Sequence, residues 1–268
     1  MADPFATPVR AYMTTPLVSV PVDAQLDYVL HVLEHRGISC VAVAGADGAP
    51  AGIVSTTDLL RAAKFDEAGG RAPRTVLPTG RSAGDIMRTE LVAVDEGDSI
   101  RAASEAMIRH HIHRVFVRRE GRIVGVLSTR DVMKVILELR VAMPLSEVMT
   151  TPVTTVDRGD SIDEALAKLD GGNGRGLVVL DGRWPVGVFT HTEAIRARAL
   201  PHDRRRASVE EIMSYEMLCL DVATPIYRVA GQAIAMQVRR ILAVEKRDLR
   251  GIVSGYDLAR IATRPTPG

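Results

Sequence analysis

Only two cysteines, four lysines, one tryptophan and 4% aromatic residues occur in this chain. Cys40 and Cys219 fit neither a disulfide framework nor a zinc spacing, and each lies in an apolar run that suits a buried thiol, so a reducing compartment is expected. No stretch approaches the ~18 uninterrupted apolar residues of a membrane helix. The opening Met1-Ala2-Asp3-Pro4 lacks the basic and apolar regions of a signal peptide, which points to the cytoplasm. Net charge is also missing. Lys plus Arg at 34 against Asp plus Glu at 33 leaves +1, no footprint for nucleic acid or an anionic membrane, so any anion site must be local.

What is present is a globular composition, 46% hydrophobic and 25% charged over 268 residues, enough for one large domain or two medium ones. It is organised as an internal repeat. A helical-looking lead ending in Met recurs at Val9-Arg10-Ala11-Tyr12-Met13, Ala83-Gly84-Asp85-Ile86-Met87, Leu145-Ser146-Glu147-Val148-Met149 and Val209-Glu210-Glu211-Ile212-Met213. The first and third copies continue identically as Met-Thr-Thr-Pro, Met13 to Pro16 and Met149 to Pro152. Each copy ends on glycine, two apolar residues, Ser or Thr, two variable residues and an acid, from Gly52 to Asp58, Gly125 to Asp131, Gly187 to Glu193 and Gly251 to Asp257.

Within the first copy an extended segment (Leu17 to Val20) precedes a helical pattern (Leu26, Val29, Leu30, Leu33). Two β-rich runs (Cys40 to Val43, Gly52 to Val54) and a closing helix from Asp58 follow. The unit is β-α-β-β-α, too small to bury both faces of its sheet, so units must pair. Division falls at 1–63, 83–142, 143–200 and 201–268, with residues 64–82, rich in Gly, Pro and Arg, reading as a surface linker loop.

The four Gly-h-h-Ser/Thr-x-x-acid endings, the Met-Thr-x-Pro openings and the element order resemble the CBS domain, whose pairs form Bateman modules. Four copies without a catalytic domain resemble the regulatory gamma subunit of AMP-activated protein kinase and stand-alone prokaryotic CBS proteins. The resemblance implies an α/β (α+β) fold of two Bateman modules in a flat, pseudo-twofold disc. It also implies a regulatory adenosine nucleotide (AMP, ADP or ATP, with S-adenosylmethionine or NAD less favoured), no catalysis, and a protein partner to be regulated. A homodimer is left open, and neither a membrane nor nucleic acid is expected as a partner. The competing reading is an interaction platform without an obligatory ligand, acting on a protein or DNA through the arginines at 196, 198 and 204–206.

Ser55-x-x-Asp58 and its counterparts fit a helix capping box, which alone explains the recurring hydroxyl. The box also puts a carboxylate beside free N–H groups at a helix N-terminus, where a ribose diol and its phosphate can be held. In the family this acid binds ribose, which makes Asp58, Asp131, Glu193 and Asp257, with Ser254, candidate ligands. The base then lies on the opening strand of the partner repeat. Carried over by position, Asp58 works with Leu91 and Val92, Asp131 with Leu17 and Val18, Glu193 with Met217 and Leu218, and Asp257 with Val153 and Thr154. For phosphate, the resemblance gives His113, Arg114 and Arg130 to the Asp58 site, Arg239 and Arg240 to the Glu193 site and Arg175 to the Asp257 site. The Asp131 site has no evident cation. Cations and acid length together rank Asp58 first and Glu193, with its extra methylene, last. His110, His111 and His113 invite a metal reading, but no matching acid or cysteine cluster accompanies them, so no metal is expected.

Overall fold

The computed structural model describes residue 3 and residues 5–66, 74–172 and 176–264. Repeat one is built from β1 (Ser19–Pro21), α1 (Leu26–Arg36), β2 (Cys40–Ala44), β3 (Pro50–Ser55) and α2 (Thr56–Ala62). A ribbon of β4 (Lys64–Asp66) and β5 (Arg74–Val76) follows. Repeat two contains β6 (Ala93–Asp95), α3 (Ile100–Arg109), β7 (Arg114–Arg119), β8 (Arg122–Ser128) and α4 (Thr129–Glu138). Repeat three runs through β9 (Thr155–Asp157), α5 (Ile162–Gly171), β10 (Gly176–Asp181), β11 (Trp184–Thr190) and α6 (His191–Arg198). Repeat four closes the series with β12 (Leu218–Asp221), α7 (Ile226–Ala235), β13 (Arg240–Glu245), β14 (Asp248–Ser254) and α8 (Gly255–Ala262).

The same sheet recurs four times: the first strand pairs parallel to the second, which pairs antiparallel to the third. A register shift falls at the same place in each hairpin, between Val43 and Ala44, Val117 and Arg118, Val179 and Leu180, and Ala243 and Val244. The first helix of each repeat is the crossover that a parallel pair requires. In α1 the buried positions Leu26, Val29 and Leu33 share one helical face, and Gly37, at φ +61°, ends the helix in the left-handed conformation that glycine adopts without strain.

Two local expectations are corrected. The leads are single 3-10 turns, Val9–Ala11, Ala83–Asp85, Leu145–Glu147 and Val209–Glu211, too short to bury a helical face. The linker is not wholly loop, since β4 and β5 pair within it and Leu77 is buried in the core of repeat one.

Each lead leaves its own repeat and packs on the partner. Thr14 bridges Val126, Arg88 bridges Ile53, Thr150 bridges Ile252 and Ser214 bridges Val188. This exchange accounts for both the Gly and the Met of the repeat. A Cβ on Gly52 would stand 2.6 Å from the Met87 sulfur, on Gly251 2.6 Å from that of Met149, on Gly187 2.4 Å from that of Met213, and on Gly125 3.2 Å from that of Met13. The thioether lies flat over bare backbone, and any side chain on the glycine would lift it off.

The two modules meet through helices, repeat two against repeat four and repeat one against repeat three, so the four repeats close a ring. The contacts are unequal. Repeats two and four share one hydrophobic core, in which Val132, Val135 and Ile136 of α4 join Val229 and Ala230 of α7 and Leu258 and Ile261 of α8. Repeats one and three keep separate cores. Glycine explains the difference, because a Cβ on Gly255 would stand 2.6 Å from the Thr129 hydroxyl and one on Gly231 3.2 Å from Leu137. At the position of Gly255, repeats one and three carry Thr56 and His191, and α2 and α6 touch over a small area.

Candidate functional site

All four acids of the repeat endings sit at the start of a closing helix and are buried: Asp58 8% exposed, Asp131 4%, Glu193 4% and Asp257 9%. Each closes a capping box with the hydroxyl three residues before it. The backbone N–H and the hydroxyl of that residue both donate to one carboxylate oxygen, at 3.0 and 2.5 Å for Ser55–Asp58, 2.9 and 2.7 Å for Ser128–Asp131, 2.8 and 2.6 Å for Thr190–Glu193, and 2.9 and 2.7 Å for Ser254–Asp257. The cap therefore occupies half of each carboxylate. Chemistry with a ligand falls to the other oxygen.

That second oxygen is treated differently in every repeat. On Asp58 it accepts two bonds from Arg88, Nη2 at 2.9 Å and Nε at 3.1 Å. Asp131 receives Lys134 Nζ at 2.8 Å. For Asp257 the partner is the Thr150 hydroxyl at 3.1 Å, with Arg260 at 4.0 Å. Among the described residues no hydrogen bond or ion pair reaches the second oxygen of Glu193, and that atom keeps contact with solvent. The spacing Asp131–Lys134 recurs as Asp58–Arg61, Glu193–Arg196 and Asp257–Arg260, but only Lys134 approaches closely.

The strand exchange brings the partner's opening to each acid. Arg88, just ahead of Leu91 and Val92 in the chain, reaches Asp58, and Thr150, just ahead of Val153 and Thr154, reaches Asp257. By the corresponding bridges, Thr14, ahead of Leu17 and Val18, pairs with Val126 in the repeat of Asp131, and Ser214, ahead of Met217 and Leu218, pairs with Val188 in the repeat of Glu193. The carbonyls of Val18, Val92 and Thr154 are engaged by Ala42, Phe116 and Val178 of their own sheets. Among the described residues the N–H groups of Leu17, Val18, Leu91, Val92, Val153 and Thr154 donate to no protein acceptor, which leaves donors free for a base edge.

The basic residues expected at separate sites come together where the modules meet. Arg114 donates to the Ser39 hydroxyl at 3.3 Å across the first module, and Arg130 donates to the Ile234 carbonyl at 3.0 Å across the module interface. Arg239 lies near both: partial desolvation and then the charge of Arg114, with a smaller push from Arg130, lower its guanidinium below the ordinary value, while Glu216 opposes the shift. Cations forced together with one nearby acid are what a multiply charged anion relieves. His111 and His113 flank the Tyr256 ring at 6.3 and 6.0 Å, and the Tyr256 hydroxyl donates to the Ile108 carbonyl at 2.7 Å, so these histidines help to line the contact of repeats two and four. Arg240 opens β13. Arg175 lies outside the described residues.

Sequence reasoning missed Arg88 and Lys134. Arg88 occupies the position held by Thr14, Thr150 and Ser214 in the other openings, and that departure from a repeated hydroxyl was the available signal. In the arginine-rich stretch that runs from the end of repeat three into repeat four, Arg198 pairs with Asp170 at 2.5 Å, Arg205 with Asp163 at 3.5 Å and Arg204 with Glu211 at 3.8 Å. Much of its charge is thus answered by acids close by in the fold. No helix among the described residues is long and apolar enough to cross a membrane.

Comparison with known proteins agrees with this architecture. The family model for the CBS domain matches residues 9–64, 83–138 and 145–200. An uncharacterised protein of Methanocaldococcus jannaschii is 24% identical over 94% of the chain, which spans 61% of that relative's length. A second protein of the same organism, described as a proposed archaeal homologue of the gamma subunit of AMP-activated kinase, superposes with a TM-score of 0.72 at 15% identity, over 95% of this chain and 99% of that one. A conserved uncharacterised protein from Pyrococcus horikoshii gives 0.66 at 19% identity, over 96% and 100%. With the family model covering more than half of the residues and the same five-element unit folded a fourth time at the C-terminal end, the chain belongs to the CBS domain family, as four repeats paired into two Bateman modules.

Proposed function

We propose that the protein is a regulatory module without catalysis of its own, binding an adenosine nucleotide such as AMP, ADP or ATP in the clefts between paired repeats. One observation carries the reading: every repeat buries a carboxylate at a capped helix N-terminus and receives the partner's opening by a backbone bridge, and in three of the four openings the two residues before the strand have N–H groups that, among the described residues, donate to no protein acceptor. A carboxylate suits a ribose diol, the N–H groups suit a base edge, and Arg114, Arg130 and Arg239 supply charge for phosphate. Binding between repeats changes how they pack, and a partner protein would sense that change.

The test is a thermal shift panel of AMP, ADP, ATP, S-adenosylmethionine and NAD. A ligand that binds only the folded chain, at 100 times its Kd, adds about 2.7 kcal/mol and raises the midpoint by several degrees. At least one member of the panel should do so, and charge reversal in Arg239→Glu should weaken nucleotides more than adenosine. A flat response to the whole panel removes this reading.

A further inference from the structure

The four clefts differ in what already holds the carboxylate. We infer that the second module is the ligand-receiving half of the molecule, and that Arg88 and Lys134 act as internal latches that keep the first module's carboxylates engaged. This rests on the adenosine reading above and says which sites it uses.

In the first module both acids are ion-paired at their outer oxygen. Arg88 grips Asp58 with two N–H groups at 2.9 and 3.1 Å, and Lys134 grips Asp131 at 2.8 Å. The inner oxygens are held by the caps, so a ligand at either carboxylate must contend with a cation already on the outer oxygen. A ribose diol entering there must exchange charge-assisted hydrogen bonds, roughly twice as strong as neutral ones, for bonds from neutral hydroxyls. Exposed ion pairs are generally weak, but here the acid end of each is buried, at 8% and 4% exposure, and the Arg88 grip is two-pronged.

In the second module no cation among the described residues lies within 3 Å of either acid. Asp257 accepts the Thr150 hydroxyl, a neutral donor that a ribose hydroxyl replaces in kind, and the nearest cation among the described residues, Arg260, is 4.0 Å away with its guanidinium 5.7 Å over the Tyr256 ring. No hydrogen bond or ion pair among the described residues reaches the second oxygen of Glu193, because the residue at the latch position is Ser214, whose hydroxyl instead accepts the N–H of Glu216, and because Arg196 comes no closer than the ion-pair limit. This order reverses the one that the phosphate cations and acid length suggest, because those considerations leave out what the carboxylate is already doing.

Calorimetric titration with AMP separates the alternatives. The natural chain should take up no more than two equivalents, and Glu193→Gln with Asp257→Asn should weaken that binding at least tenfold. Arg88→Ala with Lys134→Ala should raise the number of sites above that of the natural chain. Unchanged stoichiometry in the latch variant, or unchanged affinity in the second-module variant, overturns the inference while leaving the adenosine reading intact. If no adenosine ligand binds either protein, that reading falls, and a double-mutant cycle still judges the latch. Thermal midpoint losses for Arg88→Ala and Asp58→Asn that are not additive support the grip, and additive losses overturn it.

Discussion

Tyr12 ends the first lead, and its hydroxyl donates to Glu138 at 2.5 Å, tying that lead to the last residue of α4. The bond to the carboxylate, then burial, then the charge of Glu138 push the phenol up to about 12. The folded state holds this proton more tightly than the unfolded chain, so the contribution is fully present below the ordinary value of 10.0 and is lost as pH rises through about 12. Tyr12→Phe should cost less than about 1 kcal/mol at neutral pH, because the contact is largely open to water. Between about pH 10 and about pH 12 the natural chain should lose that margin and the variant should not. Urea midpoints at neutral and alkaline pH check this, and identical pH dependence would contradict it. The acids at Asp58, Asp131, Glu193 and Asp257 are visible at this scale in the sequence, because each is the third member of a local box. The outer partner of Asp58 is not, since Arg88 is 30 residues away and is brought there by strand exchange, whereas Lys134 follows Asp131 by a single helical turn.

Among the elements, the exchanged lead is the joint of the design, and its glycines are not equivalent. At Gly125 the atom nearest a new Cβ is the Thr14 carbonyl oxygen at 2.7 Å, backbone held in a bridge to Val126. For Gly187 the nearest atom is instead the Met213 sulfur at 2.4 Å, part of a flexible side chain. Gly125→Ala should therefore destabilise by about 1–3 kcal/mol, with no relief from Met13→Ala. Gly187→Ala should be partly rescued by Met213→Ala, so that the double variant loses less than the two single losses together. Denaturant midpoints of these variants decide the point, and full additivity at Gly187 would show that the sulfur is not what the glycine accommodates.

For the molecule as a whole, the shared core of repeats two and four makes the modules interdependent. Cutting the chain near residue 142 would expose Val132, Val135 and Ile136 on one half and Val229, Leu258 and Ile261 on the other, all at 1% exposure or less except Ile261 at 4%. An apolar face of that kind does not stay in water. The halves 1–142 and 143–268 expressed alone should self-associate, and when mixed they should pair with each other. Sedimentation showing two monodisperse, non-interacting halves would contradict the shared core. The ends of the described chain join the same interface, since Arg101 in α3 holds Asp3 at 2.7 and 2.8 Å and the Arg264 carbonyl at 2.7 Å.

The four β-α-β-β-α units, their family and the acids that cap their closing helices follow from the sequence alone. Capping boxes, crossover helices and hairpins are set by residues a few positions apart, and a pattern repeated four times is legible without neighbours. The leads form single turns rather than the helix their pattern suggests, because a Met-terminated apolar turn is defined by the repeat it lands on. The ribbon in the linker was missed because its strands are three residues each, around a Gly-, Pro- and Arg-rich stretch. Only the tertiary structure decided that repeats two and four fuse while one and three barely touch. That turns on what faces Gly231 and Gly255 across the module interface, Leu137 and Thr129, and on the bulk of Thr56 and His191 at the corresponding position. It alone decided, too, which carboxylate oxygens are already held, because Arg88 and Thr150 reach their acids only after the strands have crossed between repeats.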